Sequence, residues 1–148
     1  MKKRSIFITL LVFLVVSCSM HKNVTADAMV WSIDFKKGGC LDVCESYSIA
    51  IKNTGQFEYI GKFKVKQMGV KKGLLNKTQL SELKSLVATI NWQEMEDTYG
   101  NAAEDAQRKD LSYASGEFKK YINYYRLEPQ EIRKLEQLFD TIINHDEF

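Results

Sequence analysis

Cys40 and Cys44 are the residues whose type and spacing first suggest chemistry, with three residues between them in Gly38-Gly39-Cys40-Leu41-Asp42-Val43-Cys44. Such a pair can close a disulfide where the chain turns, act as a reactive dithiol, or hold a soft ion such as Cu(I) with help from a histidine. Gly38 and Gly39 supply the freedom the turn needs. Thioredoxin-type redox pairs sit at a helix N-terminus, whose dipole lowers the thiol pKa, whereas the residues after Cys44 read as a strand. The two histidines are His21, in a polar segment near the N-terminus, and His145, near the C-terminus. A copper site is therefore short of a ligand, and most nucleophilic, acid/base and zinc constellations lack a central component. No catalytic residue, metal ligand or cofactor is assigned on this reading.

Three other groupings merit weighing. Glu94, Glu96, Asp97, Glu104 and Asp105 offer carboxylates for calcium or acid/base work, but no Asp-x-Asp-x-Asp-Gly spacing is present, so a solvated loop is expected. Lys62, Lys64 and Lys66, with Lys71 and Lys72, form a basic stripe suited to lipid head groups, anionic glycan or an acidic partner. The bland reading is a solvated strand face that discourages edge pairing. Tyr113, Phe118, Tyr121, Tyr124 and Tyr125 make an aromatic-rich segment in which Tyr121 and Tyr125 point away from Ile122 and Tyr124. With Tyr47 and Tyr99 added, the candidate binding residues are Tyr47, Tyr99, Tyr121, Tyr125, Lys62, Lys64 and Lys66.

These residues must be positioned by elements that the hydrophobic pattern predicts. Trp31, Ile33 and Phe35 alternate with polar residues, and Tyr47, Ile49 and Ile51 continue that period after the cysteines. Asn53-Thr54-Gly55 turns the chain into a strand with Phe57 and Tyr59, and Phe63 and Val65 between lysines read as a fourth. Leu80, Leu83, Leu86, Val87 and Ile90 then recur at helical spacing, with Asn76 or Thr78 as N-cap. Residues 94–108 read as a loop. Leu111 and Tyr113, Ser115-Gly116, then Phe118, Ile122 and Tyr124 form a second hairpin, and Pro129 opens a last helix with the stripe Ile132, Leu135, Leu138, Phe139, Ile142 and Ile143. The expected class is α+β: an antiparallel sheet, made of a four-strand meander plus a second hairpin, with two helices packed on one face.

The N-terminus addresses the chain. Lys2, Lys3 and Arg4 precede a run at residues 6–16 that is apolar except for Thr9, too short for the roughly 20 residues of a membrane span and suited to a secretory signal. Leu14-Val15-Val16-Ser17-Cys18 resembles a bacterial lipobox, which implies cleavage before Cys18 and its acylation. Residues 1–17 are then a signal peptide, 18–28 a lipid-anchored tether and 29–145 a single domain. Losing the three leader cations takes the formal charge from +2 to −1. An exported chain near neutrality is a poor partner for nucleic acid. In an oxidising compartment the remaining even pair, Cys40 and Cys44, is most simply a disulfide that fixes local shape.

The stretch Gly39-Cys40-Leu41-Asp42-Val43-Cys44-Glu45-Ser46-Tyr47, then Gly55-Gln56-Phe57-Glu58-Tyr59-Ile60-Gly61, resembles a DUF 6438-like family of exported bacterial lipoprotein domains of unknown function. The family pattern is Cys-x-x-x-Cys-Pro-x-Tyr, a Gly-x-Val-x-Tyr-x-Gly hairpin, a helix, an Asp-x-Tyr loop, a hairpin and a helix after proline. Asp97-Thr98-Tyr99, Lys119 or Lys120, and Pro129 with Leu135 fall where it expects them, from about Trp31 to Ile143. Glu45 replaces the proline, and Ala106-Gln107 stands where Asp-x-Pro would follow Asp105. The resemblance implies this fold and an envelope location, with many members lipoproteins of Bacteroidota-like bacteria, and it implies no activity.

The combined expectation is an outer-membrane lipoprotein facing the periplasm, held by its lipid anchor. It would bind or support an unknown envelope protein or glycan without catalysis. The alternative is a thiol-redox or copper-handling protein that uses the Cys-x-x-x-Cys pair.

Overall fold

A computed structural model describes residues 30–38, 40, 43–102 and 106–144. The expected signal peptide, lipidation site Cys18 and tether with His21, the carboxylates Glu104 and Asp105, and His145 lie outside the described residues. Among these residues, seven strands and two helices follow in the order β1 (Trp31–Lys37), β2 (Ser46–Lys52), β3 (Gln56–Phe63), β4 (Gly69–Leu74), α1 (Lys77–Thr89), β5 (Thr98–Tyr99), β6 (Lys109–Ser115), β7 (Phe118–Tyr124) and α2 (Gln130–Asn144). All strands join one mixed sheet ordered β4-β3-β2-β1-β6-β7-β5, so the fold is α+β.

The expected meander and hairpin are halves of this single sheet, because β6 pairs with β1 along its whole length, with Phe35 opposite Leu111 and Ile33 opposite Tyr113. The period of two places Trp31, Ile33, Phe35, Tyr47, Ile49, Ile51, Tyr59, Leu111, Tyr113, Ile122 and Tyr124 on one face, and all are buried. Both helices cover that face. Phe139 of α2 stacks on Phe35 with centroids 5.3 Å apart, and Trp92 stacks on Tyr113 at 4.2 Å. Asn76 is the N-cap of α1, its side chain accepting from Gln79 N–H while the Gln79 side chain accepts from Asn76 N–H. Pro129 O accepts from Arg133 N–H as the first acceptor of α2. Ile90, expected inside the first helix, is its C-cap.

Two expectations are corrected. Phe63 and Val65 do not form a fourth strand. Phe63 ends β3, Lys64 turns the chain at φ 50°, and β4 begins only at Gly69. The turn folds back over Gly61, where an added Cβ would lie 1.9 Å from Gln67 O, and Tyr59 Oη donates to that same carbonyl at 2.9 Å. This return lets Val65 pack against the core, which alternation alone does not foresee. The loop expected over residues 94–108 contains β5, which pairs in parallel with β7. Among the described residues, no helix is long and apolar enough to cross a membrane.

Candidate functional site

Lys37 ends β1 and Lys109 begins β6, and the register sets them opposite one another, with Tyr47 beside Lys37 and Tyr124 beside Lys109. Side-chain alternation turns all four toward the helices, where α2 presents Glu136 and Asp140, one turn apart on one face. Lys109 Nζ donates to Glu136 Oε2 at 2.8 Å, and Lys37 Nζ lies 3.3 Å from Asp140 Oδ2 and 3.6 Å from Glu136 Oε1. Tyr47 Oη donates to Asp140 Oδ1 at 2.5 Å, and Tyr124 Oη to Glu136 Oε2 at 3.2 Å. Each ammonium also lies over a ring, Lys37 over Tyr47 at 5.5 Å and Lys109 over Tyr124 at 5.3 Å.

Two cations, two carboxylates and two phenols thus close on one another beneath α2. Burial, reinforced by the hydrogen bond to Asp140, pushes the Tyr47 phenol far above its ordinary range. Burial and the charge of Glu136 do the same to Tyr124. Neither phenol ionises in the working pH range, so both act as hydrogen-bond donors. Three ion pairs and two donated hydrogen bonds hold α2 on the sheet, and the buried carboxylate of Glu136 keeps its partners.

The cysteine loop closes the same end of the sheet. Cys40 and Cys44 stand at disulfide distance, with sulfurs 2.06 Å and Cα atoms 5.5 Å apart, between the end of β1 and the start of β2. Cys44 N–H donates to Cys40 Sγ at 3.2 Å. Gln107 Nε2 reaches across to Gly38 O at 2.6 Å and Glu45 O at 2.5 Å, and Gly38 N–H donates to Arg108 O at 2.9 Å. Gln107 is therefore the clamp that fixes both sides of the loop.

Among the described residues, the opposite face of the sheet carries no helix. One transverse row crosses it as Lys72, Glu58, Ala50, Asp34, Ser112 and Tyr121. A shallow hollow of about 610 Å³ lies over the β4 side of this row, floored by Ala50 and rimmed by Asp34, Lys52, Glu58 and Lys72. At the other end Tyr121 Oη donates to Asp110 Oδ1 at 2.5 Å and accepts from Arg108 Nη2 at 3.0 Å. The hydrogen bond to Asp110 raises the pKa of Tyr121, which is half exposed.

The residues expected to bind do not meet in one place. Tyr47 is buried, and Tyr99 is half-buried in β5, its hydroxyl accepting from Glu96 N–H at 3.0 Å and donating to Met95 Sδ at 3.4 Å. Tyr125 is half-buried beyond β7, Tyr121 lies on the helix-free face, and Lys62, Lys64 and Lys66 are exposed around the β3–β4 turn. Among the described carboxylates of residues 94–105, Asp97 pairs with Lys120 at 2.5 Å. Sequence reasoning missed Lys37, Lys109, Glu136 and Asp140. The available signal was Glu136, an acidic residue four positions after Ile132 on the apolar stripe of α2.

Fold and site together define a one-sided α+β domain whose helix layer is fastened by a closed ionic network beside a cross-linked loop. Residues 32–143 match the family described as Domain of unknown function (DUF6438), and the chain belongs to that family. No curated protein matches the chain.

Proposed function

We propose that this chain is a lipid-anchored protein of the cell envelope, facing the periplasm, whose domain is a non-enzymatic binding or support module. The observation that carries this reading is the contrast between the two sheet faces. Under α2 the titratable side chains are engaged with one another, so their lone pairs and protons serve cohesion. The helix-free face offers partners the row from Lys72 to Tyr121 and the hollow beside it. The cysteine pair fits a structural role, because it cross-links the loop between β1 and β2, which Gln107 clamps and which opens no helix. The leader and the lipobox-like Leu14 to Cys18 support export and acylation.

The test is the reduction potential of Cys40 and Cys44 in the chain carrying Cys18→Ser, with Cu(I) titrated into the reduced form. A potential below about −300 mV without tight Cu(I) binding is expected for a structural bridge. A potential near about −200 mV or higher, or tight Cu(I) binding, would make the pair the active site and sink the module reading. In cell fractionation the native chain should sediment with membranes and the Cys18→Ser chain should not.

A further inference from the structure

The sheet ends differently on its two sides. One edge is the two-residue β5, and the other is β4, six residues with β3 as its neighbour and no further strand among the described residues. The direction of the β4 backbone follows from one hydrogen bond and the register. Leu75 N–H donates to Gly55 O at 2.9 Å, and the pairing runs from Gln56 opposite Leu74 through Glu58 opposite Lys72 to Gly61 opposite Gly69. Antiparallel pairs alternate, so Gly69, Lys71 and Gly73 turn their amides and carbonyls toward β3, while Val70, Lys72 and Leu74 turn theirs outward. The same three residues place their side chains on the helix-free face, where Val70 is 61% and Leu74 67% exposed. Outward amides and carbonyls beside exposed aliphatic side chains make a template for an added strand.

Charge decides which strand fits. Lys72 stands at the centre of the outward row, with Lys62, Lys64 and Lys66 exposed around the preceding turn. Lys72 pairs with Glu58, yet its side chain is 68% exposed, and an ammonium has three donors, enough for a second carboxylate. A second copy of this chain is a poor occupant. Two β4 strands related by a twofold axis set either Lys72 against Lys72 or Lys71 against Lys71 in the central alignments, like charge against like.

We propose that the β4 edge accepts an extended acidic segment of another protein chain, which adds to the sheet as an eighth strand. The segment carries a carboxylate opposite Lys72 and apolar residues two positions to either side, over Val70 and Leu74. This inference rests on the reading of the domain as a binding module and names the partner chemistry of its open sheet.

The test uses the full chain with Cys18→Ser and a labelled, end-capped peptide, Thr-Val-Thr-Glu-Thr-Val-Thr, followed by fluorescence anisotropy and amide hydrogen exchange. Expected are saturable binding that weakens with salt and slowed exchange at Val70, Lys72 and Leu74. Val70→Pro removes one outward N–H without touching the ladder to β3 and should weaken binding about tenfold, as should lysine in place of the peptide's glutamate. If Val70→Pro melts early, Lys72→Glu replaces it and should reverse the preference between the two peptides. No protection of the three amides up to about 1 mM peptide overturns the proposal. So does binding to phosphatidylglycerol vesicles in place of the peptide, or a dimer in sedimentation that Val70→Pro dissolves. The Cys40/Cys44 potential does not depend on β4, so failure here beside a low potential leaves the module reading standing. A high potential removes that reading whatever the peptide does.

Discussion

Tyr47 of β2 donates its phenolic proton to Asp140 of α2 at 2.5 Å, and Lys37, beside Tyr47 on β1, reaches the same carboxylate at 3.3 Å. The tyrosine of the cysteine-tyrosine element is therefore a fastener between sheet and helix. Its partners share charge with Glu136, so removing each member should have unequal consequences.

Glu136→Ala takes the nearest partner from Lys109 and one of two from Lys37, leaving poorly solvated ammonium groups. It should destabilise the domain by about 3–5 kcal/mol. Asp140→Ala should cost less, because the Asp140 side chain is 37% exposed and Lys37 keeps Glu136. Tyr124→Phe removes one hydrogen bond while Glu136 keeps Lys109, at a cost of about 1–2 kcal/mol. Urea unfolding of the three variants gives the order, and an Asp140→Ala loss equal to that of Glu136→Ala would contradict the arrangement.

Alkaline pH should unfold the domain through its tyrosines. Tyr47 and Tyr124 have pKa values raised in the folded state, mainly by burial, while in the unfolded chain they ionise near about 10. Below that value both states hold the protons and stability does not depend on these groups. Above it the unfolded chain binds fewer protons, so stability falls by roughly 1 kcal/mol per pH unit for each phenol. Titration at the tyrosinate absorbance band should therefore show the phenols of Tyr47 and Tyr124 ionising only together with the loss of tertiary structure, a step that Tyr47→Phe and Tyr124→Phe each reduce.

Gly61→Ala should destabilise the β3–β4 hairpin, because its Cβ would meet Gln67 O at 1.9 Å and Tyr59 Oη at 2.8 Å. The return of the turn must shift, at a cost of about 1–3 kcal/mol. Gly69→Ala meets nothing within 4 Å but holds φ at 85°, so its cost of about 1 kcal/mol is conformational. Thermal unfolding of the two variants separates steric from backbone effects, and a Gly61→Ala melt matching wild type would contradict the packing.

Reduction of the Cys40 and Cys44 pair should leave the sheet folded. The loop is so short that the bridge contributes about 2 kcal/mol through chain entropy. Gln107→Ala removes two hydrogen bonds to the backbone of the same loop and should cost a comparable amount. Far-ultraviolet circular dichroism before and after reductant checks the first, and chemical denaturation of the glutamine variant the second.

Local pattern was enough to read the strands carrying Trp31, Ile33, Phe35, Tyr47, Ile49 and Ile51, the second hairpin, both helices and the cysteine pair. In each case the signal lies within a few residues of the chain: a period of two, a period near 3.6, a cap, a turn. The β3–β4 turn is not legible locally, because Lys62, Lys64 and Lys66 mimic alternation while Gly61 leaves room for the chain to fold back. β5 was missed because two residues carry no periodic signal, and its partner β7 lies more than twenty residues further on.

The sequence by itself determined the fold class, the helix-facing apolar set, the cysteine spacing and the family. Only the tertiary structure decided that β6 lies against β1, which brings Lys37 beside Lys109 and places both under Glu136 and Asp140. Among the described residues it likewise left β4 as an edge strand. The physical reason is separation along the chain. Lys37 and Asp140 lie 103 positions apart, and no local propensity specifies which distant charges share a buried site. That choice is made when strands align to bury their apolar faces, and the charges carried to the rim of the core must then find partners there.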